Sequence, residues 1–388
     1  MRAGMVLRAL CDRFRVSLLV APLYASPAPT IPSEFANRCA ATAVVPPFTI
    51  ARPPRWHRLP FLRRQFGSPS EPLALSPEAW LQAVDQAFQN DRFDVVHLFR
   101  LASLPFARAY LTDSPGDRPR WHLDLDDVES ETHRRLAALY RQNGDCTLAE
   151  AELAEAARAA KLEDEVLRRF DRVYVCSESD RRRLGSSARA EVRVLPNAVP
   201  VCPGQPSPPA TGPFTFLFVG TLGYYPNAEG ITFFCEQVLP RLRDRVSRDL
   251  RILIVGSGGE SLTELTRWPE VRLIGPVAEL APWYQQAHAV IVPIRAGGGT
   301  RIKVLEAFRY RRPVISTTIG VEGIDVVPDE DVLIGDSAEA LATQCRRLID
   351  SPALADRLVA NASALVNRAY SVETVTQTLL ASFAPRPR

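Results

Sequence analysis

Short apolar runs alternate with helical patterns along most of the chain, and this alternation predicts parallel β-sheets built from strand–helix–strand units. Five predicted strands lie in the first half: VSLLVA (16–21), DVVHLF (94–99), WHLDL (121–125), RVYVCS (172–177) and VRVLPN (192–197). Helical patterns occupy intervals between them, near 77–90, 129–142 and 148–170.

The strand pattern starts again in the second half, after a stretch that is rich in proline. PVCPGQPSPPATGP (200–213) contains six prolines and two glycines, a composition typical of an interdomain linker. Six further predicted strands follow it: FTFLFVG (214–220), RILIVG (251–256), VRLIG (271–275), AVIVP (289–293), PVIST (313–317) and DVLIG (331–335). Two helical patterns, near 352–367 and 371–384, end the sequence.

This pattern predicts an α/β protein with two Rossmann-like domains that face each other across a cleft. A chain of 388 residues is too long for a single core, which agrees with two domains. We expect an N-terminal domain over 1–200, a linker over 201–213, a C-terminal domain over 214–366 and a final helix within 367–388 that packs back toward the N-terminal domain.

A glycine-rich turn joins the fourth strand of the second domain to the helix after it, in RAGGGTRIKVLEAF (295–308). Its glycines are Gly297, Gly298 and Gly299. Arg301 and Lys303 fall in the first helical turn, where the helix dipole disfavours cations unless an anion lies between them and the backbone N–H groups. Helix N-termini bind phosphate in this way, so the sequence predicts a phosphate site at this turn.

Each side chain around the turn has an expected role. Thr300 is the predicted N-cap of a helix that runs to about Arg311. Arg301 would hold phosphate oxygens with its forked guanidinium, and Lys303 would add a point charge. Glu306 has the wrong charge for phosphate, so it would pair with Lys303 or accept hydrogen bonds from a sugar diol. A ribose next to a diphosphate would use all of these groups. The alternative is that the segment is only a glycine-rich turn followed by a helix with a charged, solvent-exposed face.

Composition narrows the classes of function. The net charge is only +3 and no long basic run occurs, so nucleic-acid binding is not expected. Seven cysteines without CxxC spacing indicate reduced thiols in a cytoplasmic protein. Only two of the 47 basic residues are lysines, Lys161 and Lys303. The retained Lys303 therefore points to a need for a compact ammonium at the glycine turn.

Polar residues at two strand ends of the first half are further candidates. In DLDDVES (124–130), strand alternation places Asp124 and Asp126 on one face, where a metal site of the D-x-D kind is one interpretation. Asp126 could instead cap a helix beginning at Val128, accept the proton of a bound hydroxyl or accept a hydrogen bond from one. His97, at the end of DVVHLF, is expected to point toward the cleft as a second candidate for proton transfer.

The second half resembles the C-terminal domain of family-4 glycosyltransferases, in the branch with GGGTRIKxLEA. The segments that carry the resemblance are FLFVGTLGYYPNAEGITFF, LRILIVGSGG and VRLIGPVAELAPWYQQAHAVIVPIRAGGGTRIKVLEAFRYRRPVISTTIGVEGI. It extends over about 214–380 and more loosely over 92–200. The resemblance implies the GT-B fold and a retaining, metal-independent enzyme that needs no cofactor besides its nucleoside-diphosphate sugar donor.

The resemblance also implies where the donor binds. Its diphosphate would lie against the glycine turn, Arg301 and Lys303, and Glu306 would contact the donor ribose, as the second glutamate of the family's E-x7-E motif does. The loop GTLGYYPN after the first strand of the second domain would add contacts. The residues of that loop that we expect in the site are Gly220, Thr221 and Asn227.

Three departures from the family pattern stand out. Gly298 takes the place of the first glutamate of E-x7-E, and Thr221 stands where many members have arginine. Family members open with a strand and a glycine-rich loop, whereas this sequence opens with MRAGMVLRALCDRFRVSLLV, inside the helix that follows them. The first strand of the N-terminal domain is therefore expected to be missing, through a start codon placed too late or a real loss.

The sequence thus predicts a glycosyltransferase that moves a sugar from a nucleoside diphosphate to an acceptor hydroxyl with retention of configuration. The alternative is a catalytically weak, glycosyltransferase-like subunit that binds a nucleotide sugar or a partner protein. The acceptor is expected to be a glycan, a lipid-linked sugar or a small molecule. We expect a cytoplasmic protein, and basic amphipathic faces in the first domain permit peripheral contact with the inner face of the membrane.

Overall fold

The computed structural model describes residues 2–20, 30–44, 88, 92–104, 119–185, 189–200 and 212–383, which form two compact units. Unit 1 contains the described parts of 1–128, 158–195 and 375–388. Unit 2 contains 129–157 and the described parts of 196–374. The predicted helix near 77–90 lies outside the described residues except for residue 88, and so does the predicted linker between 201 and 211.

Unit 1 is built on a four-stranded parallel sheet and a separate parallel pair. Its strands are β1 (Ser17–Val20), β2 (Ala41–Val44), β3 (Val95–Phe99), β4 (Arg120–Asp124), β5 (Arg172–Val175) and β6 (Glu191–Val194). The larger sheet has the order β3-β4-β5-β6, and β1 pairs with β2. Strand β2 was not predicted, because four residues with alternating exposure carry too short an apolar signal.

Two predicted helices of the first half, 129–142 and 148–170, are present, whereas the short helices at Ser33–Ala36 and Glu178–Leu184 were not predicted. The described helices are α1 (Arg2–Cys11), α2 (Ser33–Ala36), α3 (Glu129–Gln142), α4 (Cys146–Arg169) and α5 (Glu178–Leu184). A 3₁₀ turn covers Leu101–Ser103. Helix α3 has the predicted bounds, 129–142, and belongs to unit 2, although α3 and α4 lie between two strands of unit 1 in the sequence.

Unit 2 holds a six-stranded parallel sheet. Its strands are β7 (Phe214–Val219), β8 (Leu250–Val255), β9 (Val271–Gly275), β10 (Ala289–Val292), β11 (Val314–Ser316) and β12 (Leu333–Ile334). The order β9-β8-β7-β10-β11-β12 is that of a doubly wound Rossmann sheet. Central strands are buried on both faces, as in β10, whose four residues are all buried, and this explains why they read as unbroken apolar runs.

Helices and short turns of other helical types connect these strands. The α-helices are α6 (Tyr225–Phe233), α7 (Leu239–Arg243), α8 (Ala281–Gln286), α9 (Ile302–Arg309), α10 (Ala338–Asp350), α11 (Pro352–Ala369) and α12 (Val372–Phe383). A π-helical turn, Phe234–Val238, joins α6 to α7. The 3₁₀ segments are Gly259–Arg267 and Ile319–Val321.

Helix α12 packs on the sheet of unit 1 through aromatic rings. The ring of Phe383 lies 4.8 Å from that of His122 and 5.9 Å from that of His97, measured between centroids. The hydroxyl groups of Tyr174 and Ser382 are 2.7 Å apart. These contacts join the last described turn of the chain to β3, β4 and β5.

Two glycine loops of unit 2 cross at backbone contact distance. The loop after β7 donates a hydrogen bond from Leu222 N to the carbonyl of Ser257 in the loop after β8, at 2.6 Å. A Cβ atom on Gly256 would lie 1.8 Å from the carbonyl oxygen of Gly220, which is far inside van der Waals contact. Gly256 also has φ +152°, a conformation that residues with side chains rarely adopt. Only glycine fits this crossing without a shift of the backbone.

We expect Gly256→Ala to lower the free energy of unfolding by about 3 kcal/mol, because backbone atoms rather than a flexible side chain must move to admit the methyl group. Urea titration of the folded protein measures this change. Gly223→Ala is the matched control, since nothing lies within 4 Å of a Cβ atom there. Equal stability of the two variants would contradict the close crossing.

Candidate active site

The two loops expected to bind the donor lie side by side at one edge of the sheet of unit 2. Strands β7 and β10 are paired, with Ala289 opposite Phe216, and the strand order reverses between them. In doubly wound sheets the carboxyl ends of strands at such a reversal form the usual ligand site. The loop from Gly220 follows β7, and the glycine turn follows β10.

The glycine turn has unused backbone donors. Gly297 and Gly299 have φ angles of +110° and +67°, which glycine adopts without strain. In the part of the chain that the structure describes, the N–H groups of Gly297, Gly298 and Gly299 donate no hydrogen bond. The hydroxyl of Thr300 is buried and has no partner among the described residues. Gly297 and Thr300 are buried, and buried donors without acceptors are costly, so the turn is suited to an anionic or oxygen-rich ligand.

Helix α9 begins one residue later than the sequence suggested. Arg301 occupies the N-cap position and no side chain of the described residues caps the first turn, so the prediction that Thr300 is the N-cap is wrong. Positive φ angles in the turn delay the helical conformation past Thr300. The helix ends at Arg309 rather than near Arg311, which has φ +54°.

Arg301 folds back onto the turn that precedes it. Its guanidinium donates to the carbonyl oxygens of Gly298 and Gly299, the latter at 2.9 Å. A Cβ atom on Gly297 would lie 3.1 Å from both Arg301 Nη2 and the hydroxyl oxygen of Tyr224. Glycine at 297 therefore leaves room for a guanidinium and a tyrosine at the mouth of the turn.

Lys303 connects the glycine turn to the loop after β7. Its Nζ donates to Oδ1 of Asn227 at 2.8 Å and lies 4.4 Å from the ring centroid of Phe218. Burial and, to a smaller extent, the positive charge of Arg301 lower the pKa of Lys303 to about 7, while Glu306 acts in the opposite direction. An anion placed beside this ammonium would restore its proton.

Residues of the β7 loop make room for the ammonium and hold its partner. A Cβ atom on Gly220 would lie 2.7 Å from Lys303 Nζ, so a side chain there would displace the lysine. Asn227 is oriented by a hydrogen bond from its Nδ2 to the carbonyl of Thr221, at 2.8 Å. Glu306 lies one helical turn after Lys303, and burial raises its pKa while Lys303 opposes the rise.

The structure also brings in Arg135 of α3, which the sequence did not suggest. Its guanidinium donates to the carbonyl of Gly297 at 3.0 Å and forms an ion pair with Glu322. Arg134 and Arg135 are neighbours in one amphipathic helix, so nothing in the sequence separates an exposed arginine from one that reaches a distant loop. Glu322 lies in GVEGI, the end of a segment that carries the family resemblance, but the sequence pattern there indicates no role for it.

The acidic strand end of unit 1 is held by arginines. Asp124 is fully buried and pairs with Arg2, whose Nη2 lies 2.9 Å from Asp124 Oδ1. Asp126 has φ +65° and accepts a hydrogen bond from Arg100 Nη2 at 2.9 Å. Its Oδ1 atom lies 3.9 Å from Arg2 Nε, and 19% of the Asp126 side chain is exposed. The helix after it begins at Glu129 rather than Val128. Guanidinium groups thus face both carboxylates that suggested a metal site.

The sequence predicted that His97 points toward a cleft, whereas in the structure its ring packs against other aromatic rings of unit 1. Both ring nitrogens are buried, and they have no hydrogen-bond partner among the described residues. The ring lies 5.7 Å from that of Tyr174, between centroids, and near Phe383. Burial lowers the pKa of His97 to about 4, and the charge of Arg2 adds to this effect. The alternation of the strand turns the ring onto the packed face, so a catalytic role for His97 stays a prediction that this placement does not favour.

One known protein family matches a segment of unit 2. Residues 213–351 match the model of the family described as glycosyl transferases group 1. That segment covers the sheet of unit 2, including the glycine turn and the β7 loop. No curated protein matches the sequence.

Solved structures resemble the chain over nearly its whole length. The sucrose-phosphate synthase of Thermosynechococcus elongatus is 18% identical, with a TM-score of 0.70 over 98% of this chain and 92% of that one. HepE from Anabaena, solved with UDP and glucose, is 14% identical with a TM-score of 0.64, over 98% and 94% of the two chains. A glycosyltransferase from Rickettsia africae is 13% identical with a TM-score of 0.64, over 98% and 93%.

At these identities the likeness concerns the fold. The two parallel sheets, the doubly wound order of the second and the matched segment all agree with one architecture. The chain therefore has the GT-B fold, two Rossmann-like domains, and its second unit carries the segment that matches glycosyl transferases group 1.

Proposed function

We propose that the protein transfers a sugar from a nucleoside-diphosphate sugar to an acceptor hydroxyl, with retention of configuration and without a metal ion. The observation that carries the proposal is the group of unused donors at the strand reversal of unit 2. The N–H groups of the glycine turn and the hydroxyl of Thr300 have no acceptor among the described residues, and the partly buried ammonium of Lys303, which is bonded to Asn227, follows three positions after Thr300. Negative charge satisfies all of these donors at once.

Relatives in fold support the choice of donor. HepE has been solved with UDP-glucose, and the pneumococcal O-GlcNAc transferase GtfA with UDP and GlcNAc. HepE is 15% identical in the UDP-glucose complex, and GtfA is 13% identical with a TM-score of 0.52, so these ligands guide the hypothesis only. A nucleoside diphosphate fits the donors described above, with the ribose hydroxyls toward Glu306, whose protonation Lys303 opposes.

The proposed reaction breaks the bond between the anomeric carbon and the diphosphate and forms a bond from that carbon to the acceptor oxygen. The acceptor's proton passes to an oxygen of the departing diphosphate, and attack on the same face retains the configuration. Lys303 and the N–H groups of the turn stabilise the charge that builds on the leaving group, which is the task that a metal ion performs in other transferases. Arg301 holds the carbonyls of Gly298 and Gly299, which keeps the next two N–H groups in place, and it adds its positive charge from the carbonyl side of the turn. Preorganised donors in a water-poor site are effective because little reorganisation is needed.

Unit 1 would bind the acceptor. The carboxylate of Asp126 is partly exposed beside Arg100, so we propose that it accepts a hydrogen bond from an acceptor hydroxyl. A glycan, a lipid-linked sugar or a small molecule could carry that hydroxyl. None of the described helices is long and apolar enough to cross a bilayer. Contact with a membrane surface from the cytoplasmic side is part of the proposal.

We expect isothermal titration calorimetry to show micromolar binding of one nucleoside diphosphate among UDP, GDP and ADP, unchanged by EDTA. Lys303→Ala should weaken that binding by about a hundredfold, since it removes a buried charge-assisted contact with phosphate. Lys161→Ala is the control, because it removes the other lysine of the chain, which is exposed on α4. Equal binding by both variants would rule out Lys303 as the phosphate ligand, and binding that requires a divalent ion would rule out the metal-independent mechanism.

Binding of the donor should also depend on pH. The pKa of Lys303 near 7 means that the free protein loses this proton as the pH rises above neutrality, whereas a bound diphosphate favours the ammonium. Affinity for the nucleotide sugar should therefore fall between pH 7 and 9, with uptake of a proton on binding. Titrations in buffers of different ionisation enthalpy measure that uptake. Lys303→Arg should abolish the dependence, and an unchanged pH profile in this variant would assign it to another group.

Turnover separates the enzyme from a binding subunit with little activity. With the nucleotide sugar identified by calorimetry, incubation with candidate acceptors should give a product whose anomeric proton coupling matches that of the donor, as seen by NMR. Arg301→Ala should reduce turnover strongly without unfolding the protein, since its hydrogen bonds to the carbonyls of Gly298 and Gly299 stay within one turn. An inverted product would refute retention. Tight binding without transfer to any acceptor would favour the binding subunit.

A further inference from the structure

Arg135 holds two loops of unit 2 from one helix. Its Nη1 donates to the carbonyl of Gly297 at 3.0 Å, and its Nη2 donates to Glu322 Oε1 at 3.0 Å. Nη1 also contacts the other oxygen of Glu322, and Nε donates to Glu131 at 3.1 Å. All of these residues belong to unit 2. The guanidinium is thus anchored by two carboxylates while it grips the first carbonyl of the glycine turn.

The surroundings make these contacts stronger than those of an ordinary surface pair. The side chains of Arg135 and Glu322 are 17% and 22% exposed. The hydrogen bond with Glu322 raises the pKa of Arg135 against the effect of burial. Partial burial limits screening by salt and water, which strengthens the bidentate pair between Arg135 and Glu322.

A hydrogen bond that fixes the carbonyl of Gly297 also fixes the direction of the N–H group of Gly298, because both belong to the same peptide plane. In a trans peptide the C=O of one residue and the N–H of the next lie in one plane and point in opposite directions. The carbonyl of Gly297 points at Arg135, so the N–H of Gly298 points away from it. Arg301 holds the carbonyls of Gly298 and Gly299 in the same way, which directs the following two N–H groups.

We propose that Arg135 is a positioning residue for the donor diphosphate, which acts by fixing the peptide plane between Gly297 and Gly298 with Glu322 as its anchor. The inference rests on the proposed function of the glycine turn and extends it to a helix that lies 162 positions away in the sequence. Glycine makes the turn adaptable and also leaves it with high conformational entropy when nothing holds it. Arg135 limits that freedom before the donor arrives, which is how preorganisation improves binding.

A purely structural role makes a different prediction. If the ion pair only fastens α3 to the loop of Glu322, its loss should lower the melting temperature and leave nucleotide affinity unchanged in the folded protein. If Arg135 orients the turn, affinity should fall at temperatures well below the melting transition. Nucleotide affinity and melting temperature, measured on the same samples, therefore separate the two roles.

The test compares Arg135→Ala with Arg135→Lys, Glu322→Ala and the control Arg134→Ala. Arg134 is the adjacent residue in α3, and its side chain is half exposed and contacts only Glu131 among the described residues, at 3.4 Å. Calorimetry with the nucleoside diphosphate that the wild-type protein binds gives the affinity, and steady-state kinetics with its sugar gives kcat and KM. Circular dichroism gives the melting temperature.

We expect Arg135→Ala to weaken nucleotide binding about tenfold, the effect of one charge-assisted hydrogen bond, and to raise KM more than it lowers kcat. Lysine should recover part of the loss, because an ammonium can still reach the carbonyl but cannot hold Glu322 in a fork. Glu322→Ala should weaken binding several-fold, and Arg134→Ala should match the wild type.

If folded Arg135→Ala binds the nucleoside diphosphate as tightly as the wild-type protein does, the inference about Arg135 is wrong. The proposed function still holds in that case if Lys303→Ala has lost binding. If Arg135→Ala does not fold, wild-type affinity in both Arg135→Lys and Glu322→Ala has the same meaning. Failure of the wild-type protein to bind any nucleoside diphosphate or nucleotide sugar would overturn the proposed function, and the inference with it.

Discussion

The site of unit 2 depends on the partial burial of one ammonium group, that of Lys303. Lys303 lies where burial lowers its pKa to about 7, and its hydrogen bond to Asn227 offsets only part of the cost of desolvation. A protein keeps such a group where something repays the cost, and an anionic ligand is the simplest means. The neighbouring glycine turn with unused N–H groups points to the same ligand independently. Two observations of different chemistry thus converge on a phosphate.

Glycine makes this arrangement sterically feasible. At Gly220 the absence of a side chain leaves space for the ammonium, and at Gly256 it lets two loops cross at backbone distance. At Gly297 it leaves space for the guanidinium of Arg301 and the hydroxyl of Tyr224. The same freedom makes the turn flexible, so other groups have to orient it. Arginines from the turn itself and from α3 hold its carbonyls, which explains why cations surround a loop whose expected ligand is anionic.

In unit 1, by contrast, the candidate residues include carboxylates, and these are already paired with arginines of the same unit. Carboxylates at the end of β4 are neutralised by Arg2 and Arg100. His97 is packed among rings with its pKa lowered by burial. Asp124 and His97, two of the three candidate residues in this unit, are thus engaged in its own fold. The third, Asp126, keeps a partly exposed carboxylate. This contrast agrees with the proposed mechanism, in which the leaving diphosphate, rather than a side chain of unit 1, takes the acceptor's proton.

The sequence by itself determined the α/β class, nearly all of the described strands and the glycine turn with its two cations. These features are encoded locally: buried parallel strands need apolar runs, and a turn with positive φ angles before a helix needs glycine. Tertiary structure alone decided which helix residue reaches the turn, that Lys303 meets Asn227, and that the ring nitrogens of His97 are buried. Arg135 lies 162 positions from Gly297. Such contacts depend on how helices pack over the sheet, and a local pattern carries no information about residues that become neighbours only after folding.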